Sequence, residues 1–249
     1  MNKMQSILIS TLVLLLGFSQ AFADEIHVAV ASNFTDASKD IAKAFEQKTG
    51  HKVILAFGST GKHYAQIKNG APFAAFFAAD VKRPKLLEQE GLALPDSRFT
   101  YAIGKVVLWS PEPGLIDANA EVLNQGDFRY LALANPKLAP YGKAAEQVMR
   151  AKSLWTALQN RMVRGENIGQ TFQFVNSGNA QIGFVAYAQI KRPGTAITGS
   201  FWEPAQSLYD PIEQQAVLLK DQAAARDFLD FVKSETAIDI IQGYGYAAP

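Results

Sequence analysis

The chain has 249 residues, and its 24 basic residues nearly balance its 23 acidic ones. Nucleic-acid binding relies on clustered lysine and arginine, so this composition argues against a nucleic-acid partner. There is no cysteine, and an ordinary hydrophobic core rather than disulfides must therefore stabilise the fold.

The first 23 residues have the pattern of a secretory signal peptide. Lys3 precedes a mostly apolar run over 7–18, and Ala21-Phe22-Ala23 has the small-x-small form that signal peptidase cuts. The apolar run is shorter than the roughly 20 residues that a membrane-spanning helix needs. We therefore expect cleavage before Asp24 and a mature protein that is soluble outside the cytoplasm.

Strand and helix patterns alternate in the first part of the mature chain. Short apolar runs predict strands at 26–31, 53–57 and 73–79. Amphipathic spacing predicts helices at 35–48, 62–69 and 84–91. This order is typical of a parallel sheet with helices on both faces.

The later elements follow a less regular order. Strands are predicted at 101–110, 130–134, 182–186 and 214–219, and helices at 140–150, 153–162, 167–176, 223–233 and 235–242. We expect an α/β fold of two lobes, each a mixed, mostly parallel sheet flanked by helices. The first lobe would comprise 24–103 with 212–249 and the second 104–211, joined by extended crossings near 102–106 and 205–214.

Two turns in the first lobe stand where a strand ends and a helix begins, at Ala31–Asp36 and Phe57–Lys62. Hydroxyls, a side-chain amide and unpaired backbone N–H groups therefore collect at two helix N-termini, which suits an anion. Ligands of open α/β sheets gather beyond the carboxyl ends of the strands, where both turns lie. Neither turn has residues at a catalytic spacing, so the sequence predicts a binding protein for a small oxyanion and not an enzyme.

A series of motifs resembles, in order, those of periplasmic molybdate-binding proteins. The motifs are Ala29-Val30-Ala31-Ser32 with Thr35, Phe57-Gly58-Ser59-Thr60-Gly61, Gly70-Ala71-Pro72-Phe73, Ala79-Asp80, Ala134-Asn135-Pro136, Pro140-Tyr141-Gly142, Gly183-Phe184-Val185-Ala186 and Tyr244-Gly245-Tyr246. The resemblance covers essentially the whole mature chain. It implies a two-lobed type II periplasmic binding protein fold that closes on molybdate or tungstate in the periplasm.

The same resemblance implies a transport role with no cofactor. A monomer would deliver the oxyanion to the permease and ATPase subunits of an ABC importer. The metal would not be ligated directly, because it would be held as its oxyanion.

The resemblance also places the ligand shell. The implied residues are Ser32, Asn33, Ser59 and Thr60 in the first lobe and Tyr141 and Ile168 in the second. The first-lobe turns would offer hydroxyl and backbone N–H donors, and Ile168 a backbone N–H alone. Some relatives donate a phenol from the strand after the last of these helices, where this chain has Ala186. We therefore assign the phenol to Tyr141, whereas a shift of one residue would bring in Tyr187 instead.

Physical arguments support a neutral shell. Each helix N-terminus carries about half a positive charge, so about four of them offset a dianion without lysine or arginine. We see no basic cluster near these motifs, and Lys62 and Lys143 would add only a weak field. A shell made only of donors disfavours protonated phosphate, which needs an acceptor, but leaves sulfate as a rival.

Other interpretations remain. Ser32, Asn33, Ser59 and Thr60 are also typical helix caps. A secreted hydrolase would need a base for Ser59, and the only histidine after it is His63. A binding protein for organic solutes usually clamps a carboxylate with arginine, which the proposed turns lack.

Overall fold

The computed structural model describes residues 24–247. The predicted signal peptide at 1–23 lies outside the described residues. Within 24–247, none of the helices combines the length and the apolar character required to cross a bilayer.

Strands and helices alternate along most of the described chain. The strands are β1 (Glu25–Ala31), β2 (Lys52–Gly58), β3 (Ala75–Ala78), β4 (Phe99–Gly104), β5 (Val106–Ser110), β6 (Leu131–Ala134), β7 (Met162–Gly165), β8 (Ile182–Ala186), β9 (Ser200–Trp202) and β10 (Ile212–Leu218). The helices are α1 (Thr35–Thr49), α2 (Thr60–Lys68), α3 (Lys82–Gln89), α4 (Val122–Gln125), α5 (Pro140–Ala151), α6 (Ile168–Asn176), α7 (Tyr187–Ile190), α8 (Ala223–Val232) and α9 (Glu235–Gly243). Short 3-10 helices lie at Ser32–Phe34, Gln159–Arg161 and Gln206–Leu208.

The described strands form two five-stranded sheets, in the orders β2-β1-β3-β10-β4 and β7-β6-β8-β5-β9. In the first sheet β1 pairs in parallel with β2 and β3, whereas β10 runs antiparallel to β3 and β4. The second sheet repeats this plan, with β6 parallel to β7 and β8 and with β5 antiparallel to β8 and β9. The prediction of an α/β fold with two mixed sheets is confirmed.

Two crossings join the sheets. The sequence predicts one strand over 101–110, but β4 ends at Gly104 in the first sheet and β5 begins at Val106 in the second. The chain returns between β9 and β10. These crossings agree with the predicted positions, and the lobe limits themselves remain a prediction.

The helix predicted over 153–162 is wrong. Ser153 has a φ of 61°, a left-handed conformation that ends α5. The N–H of Leu154 then bonds back to Met149 O at 2.8 Å. Instead of a helix, a turn and a 3-10 helix lead into β7, a short strand that the sequence pattern does not predict.

Each lobe has its own apolar core. In the first, Phe34, Phe77 and Phe228 are at most 2% exposed and pack among β1, β3 and α8. In the second, Leu108, Leu131 and Phe184 are fully buried. Ala31 ends β1, Ala79 directly follows β3, and both pack against the second core. The strand ends of the first sheet are therefore held against the second lobe.

Candidate functional site

A small cavity of about 10 Å³ lies where the two lobes meet. Its lining consists of Ala31, Ser32, Asn33, Gly58, Ser59, Thr60, Ala79, Ala139, Pro140, Tyr141 and Ile168. The structure therefore brings together all six residues that the resemblance placed in the shell. None of these lining side chains is charged.

The Ser32–Asn33 turn follows β1 as a 3-10 helix. Ser32 Oγ accepts the Gly169 N–H at 3.1 Å and donates to Asn167 Oδ1 at 3.1 Å, so it links the first lobe to the start of α6. The Asn33 amide instead faces its own lobe, where Nδ2 donates to Gln214 Oε1 at 2.6 Å. Asn33 therefore offers the cavity its backbone N–H rather than its side chain.

The Ser59–Thr60 turn begins α2. Ser59 is the N-cap and accepts the Lys62 N–H at 3.3 Å, while Thr60 Oγ1 accepts the Ala79 N–H at 3.0 Å. Both hydroxyl oxygens act as acceptors toward the backbone, so each keeps its hydrogen to donate elsewhere. Because Ser59 and Thr60 are 3% and 1% exposed, the cavity is where those hydrogens find an acceptor.

Tyr141 is the second residue of α5, after Pro140. The residue is 1% exposed, and its Oη has no hydrogen-bond partner among the described residues. Burial raises the pKa of this phenol well above its ordinary value, so it remains a donor. A Cβ added to Gly104 would lie 2.1 Å from Tyr141 Oη, and glycine is therefore needed where β4 ends.

Ile168 begins α6. The N-cap Asn167 accepts the Gln170 N–H at 2.9 Å. Gln189 fixes the same turn, because its Nε2 donates to Ile168 O at 3.1 Å while its Oε1 accepts the Ala186 N–H at 2.9 Å. The Ile168 side chain is buried, so a backbone N–H is what this position offers. The role of Gln189 escapes sequence reasoning, because no local pattern marks this residue.

Tyr187 lies outside the cavity lining. Its ring packs against Phe201, with centroids 6.0 Å apart, and the Lys105 ammonium lies 5.9 Å from its centroid. A Cβ on Gly245 would approach the Tyr187 ring within 2.5 Å. The structure thus groups Tyr141, and not Tyr187, with the other shell residues, and the source of the phenol remains a prediction.

Several contacts hold the lobes against each other around the cavity. Beside the Ser32 bonds, the Gly61 N–H donates to Leu138 O at 2.9 Å. Lys62 Nζ lies 2.7 Å from Glu166 Oε1, and Arg192 pairs with Asp36. These contacts close the two lobes over the shell residues.

A larger cleft adjoins the cavity and shares Ala139 and Pro140 with it. Its charged lining residues are Asp80, Lys82, Arg83, Lys137, Lys143 and Asp210. The expectation of no basic cluster near the motifs is therefore wrong. These cations come from both lobes, and only closure of the fold brings them together.

The alternative of a hydrolase has no support in this geometry. His63 Nε2 lies 3.2 Å from Val30 O and Nδ1 lies 3.0 Å from Gln66 Oε1. Both ring nitrogens are thus engaged away from Ser59 Oγ. Among residues 24–247 there is also no cluster of His, Asp or Glu that could hold a metal ion.

Comparisons with known proteins show the family of the chain. The profile of the family described as bacterial extracellular solute-binding protein matches residues 26–247. The chain is 50% identical to the molybdate-binding protein ModA of Azotobacter vinelandii, over 91% of each chain. It is 47% identical to ModA of Rhodobacter capsulatus, over 95% of this chain and 94% of the relative.

The solved structures include a similar fold. The periplasmic molybdate-binding protein of Azotobacter vinelandii superimposes with a TM-score of 0.88 at 44% identity. The match covers 90% of this chain and 99% of that one.

Proposed function

This chain belongs to the family of bacterial extracellular solute-binding proteins, and we propose that its solute is molybdate, with tungstate as a second ligand. Identity of 50% and 47% to two molybdate-binding proteins, over more than nine-tenths of the chain, supports the choice of anion. The anion would sit among Ser32, Asn33, Ser59, Thr60, Tyr141 and Ile168.

The observation that carries the proposal is the chemistry of the lining. The cavity has hydroxyls, backbone N–H groups and one buried phenol, and no charged side chain. A tetrahedral dianion that leaves water loses a large solvation energy, which fixed dipoles must replace. The starts of α2, α5 and α6 each supply about half a positive charge, and the 3-10 turn at Ser32 adds further N–H donors.

The buried Tyr141 hydroxyl fits this role. A buried donor without a partner costs roughly 1–3 kcal/mol, and Tyr141 Oη has none among the described residues. An anion oxygen in the cavity would accept its hydrogen. The same bond would tie α5 of the second lobe to a ligand that also contacts α2 of the first, so the ligand favours closure of the lobes.

Membership of the family of extracellular solute-binding proteins supports a transport role. We propose that the protein is secreted with cleavage of residues 1–23, acts as a monomer in the periplasm, and delivers the anion to a permease and its ATPase. The relatives named above are molybdate-binding proteins, which supports this assignment.

Thermal unfolding of the purified protein with a series of anions tests the proposal. A ligand that binds only the native state stabilises it by about 4 kcal/mol at a thousandfold excess over Kd. Molybdate and tungstate should raise the melting temperature, whereas hydrogen phosphate at the same concentration should raise it far less. A shift with sulfate alone would indicate a sulfate-binding protein, and no shift with any of the four anions would contradict the proposal.

A further inference from the structure

A buried polar network lies behind the cavity, on the side of the first sheet. Gln214 of β10 is 0% exposed, and its Oε1 accepts from Asn33 Nδ2 at 2.6 Å and from Tyr101 Oη at 3.2 Å. Tyr101 shares its one hydroxyl hydrogen with Ala78 O, also 3.2 Å away, so the short bond from Asn33 fixes the orientation of the amide. The Nε2 group must therefore face the opposite way.

Gln214 Nε2 and Tyr141 Oη are both buried without a hydrogen-bond partner among the described residues. They also lie over the same glycine. A Cβ on Gly104 would be 2.8 Å from Gln214 Nε2 and 2.1 Å from Tyr141 Oη. The amide is a donor and the phenol oxygen can both accept and donate, so the two groups are complementary.

We propose that Gln214 is a positioning residue that makes Tyr141 a donor to the bound anion. The Gln214 Nε2–H donates to Tyr141 Oη, and the phenolic hydrogen is then left for an oxygen of the ligand. This inference rests on the proposed oxyanion site and assigns to it a residue that does not line the cavity.

The contact between Gln214 and Tyr141 would also make the site select deprotonated oxyanions over protonated ones. Hydrogen phosphate carries a proton that needs an acceptor, whereas molybdate and sulfate are fully deprotonated near neutral pH. Gln214 Oε1, the acceptor beside the cavity, is occupied by Asn33 and Tyr101. With Gln214 Nε2 donating to it, Tyr141 presents the ligand with a hydrogen rather than a lone pair. A protonated oxyanion therefore meets only donors at this side of the cavity.

A double-mutant cycle measured by calorimetry tests this role. Gln214→Leu should weaken molybdate binding roughly ten- to hundredfold in the wild-type background, as expected for a hydrogen bond to a charged group. In the Tyr141→Phe background the same change should cost less than about twofold, because its effect passes through the phenol. An equal loss in both backgrounds would overturn the proposal.

Gln215→Leu is the matched control. Gln215 is the next residue of β10, is 7% exposed, and bonds to Thr100 and Arg98 instead of the cavity network. It should leave the molybdate affinity unchanged. An equal loss of affinity in Gln215→Leu would mean that a buried glutamine of this strand affects binding only through the fold.

Gln214→Glu provides a test that keeps the size of the side chain. At pH 8 the carboxylate would accept the Tyr141 hydrogen and withdraw it from the ligand. The ratio of the Kd for hydrogen phosphate to the Kd for molybdate should fall about tenfold or more, and an unchanged ratio would contradict the inference. If the wild-type protein binds none of these anions, the proposed function fails; if it binds molybdate but the cycle is additive, only the role of Gln214 fails.

Discussion

The two lobes contact the same cavity with different groups. The first contributes the hydroxyls of Ser59 and Thr60, and the second contributes the phenol of Tyr141 and the N–H of Ile168. Ser59 and Thr60 are each fixed by a backbone N–H of their own lobe. Tyr141 Oη instead lies over Gly104, at the end of the first sheet.

This difference separates two ways of building a binding site. The donors at Ser59 and Thr60 are oriented whether or not the lobes are closed, because their partners belong to the same lobe. The second-lobe phenol reaches its position only where α5 meets β4 and β10. We therefore expect the donors of the first lobe to contribute most of the affinity for the anion. The contact that the second lobe makes with the anion should depend on whether the lobes are closed.

The double substitution Ser59→Ala with Thr60→Ala tests the first lobe and should have the largest effect. Each hydroxyl bonded to a charged ligand is worth about 1.5–3 kcal/mol, so the Kd for molybdate should rise by about two to four orders of magnitude. Calorimetry measures this directly. Unchanged affinity would mean that this turn does not contact the anion.

The double variant also loses a helix cap, which costs about 1 kcal/mol of stability. Ser234→Ala is the control, because Ser234 caps α9 in the same way by accepting the Ala237 N–H at 3.4 Å. This variant should lower the melting temperature of the ligand-free protein without changing the affinity. If Ser234→Ala weakened binding as much, the loss at Ser59 would reflect stability alone.

Tyr141→Phe tests the second lobe. Removing a phenol that donates to a charged ligand should cost about 1.5–3 kcal/mol of binding free energy. Tyr187→Phe is the matched control, since Tyr187 packs against Phe201 outside the cavity lining. Its Kd should stay at the wild-type value. If Tyr187→Phe lowered the affinity and Tyr141→Phe did not, Tyr187 rather than Tyr141 would be the phenol that donates to the ligand.

The lobes should also differ in their response to acid, because the buried histidine, His63, lies in the first lobe. His63 is buried beside the ends of β1 and β2, and burial lowers its pKa despite the opposing bonds to Gln66 and Val30. Its folded pKa therefore lies below the ordinary value of 6.5. The unfolded chain binds a proton at His63 before the folded chain does.

Stability from His63 is thus fully present above pH 6.5 and is lost as the pH falls below it. For one proton, the free energy of unfolding changes by at most about 1.4 kcal/mol per pH unit. Unfolding of the ligand-free protein between pH 5 and 8 should show a shallower slope for His63→Gln than for wild type. Exposed His27→Gln serves as the control, and an identical slope in all three proteins would exclude His63 as the source.

Local patterns predict the first lobe well. The expected helix over 35–48 is Thr35–Thr49, and the expected strand over 53–57 is Lys52–Gly58. Ser59 is recognisable because a cap is a short-range feature. The orientation of Asn33 is not, because its amide is directed by Gln214 and Tyr246, each about 180 residues or more away in sequence.

The second lobe is harder to predict. Nothing local shows that Ser153 adopts a left-handed conformation, or that Met162–Gly165 joins a sheet as its edge strand. The cluster of cations in the larger cleft beside the cavity could not be predicted from the sequence, for a related reason. Lys82 and Lys143 come from different lobes and meet only in the tertiary structure.

The smallest expected effect concerns the ion pair between Lys62 and Glu166, 2.7 Å apart across the lobes. Both side chains are about half exposed, at 52% and 44%, so solvent screens the pair. Such pairs contribute at most about 1 kcal/mol, so Glu166→Gln should raise the Kd for molybdate by no more than about fivefold. The difference should also shrink as salt is added, because mobile ions screen exposed charges.

Lys68 and Glu90 form a pair of similar length, 3.0 Å, entirely within the first lobe. Glu90→Gln removes a surface ion pair without touching the contact between lobes, so the affinity should not change. A salt-dependent loss in Glu166→Gln alone would show that closure contributes to binding through this contact. Equal behaviour of the two variants would mean that the pair between the lobes does not affect closure, and that the ligand and its neutral shell hold the lobes together.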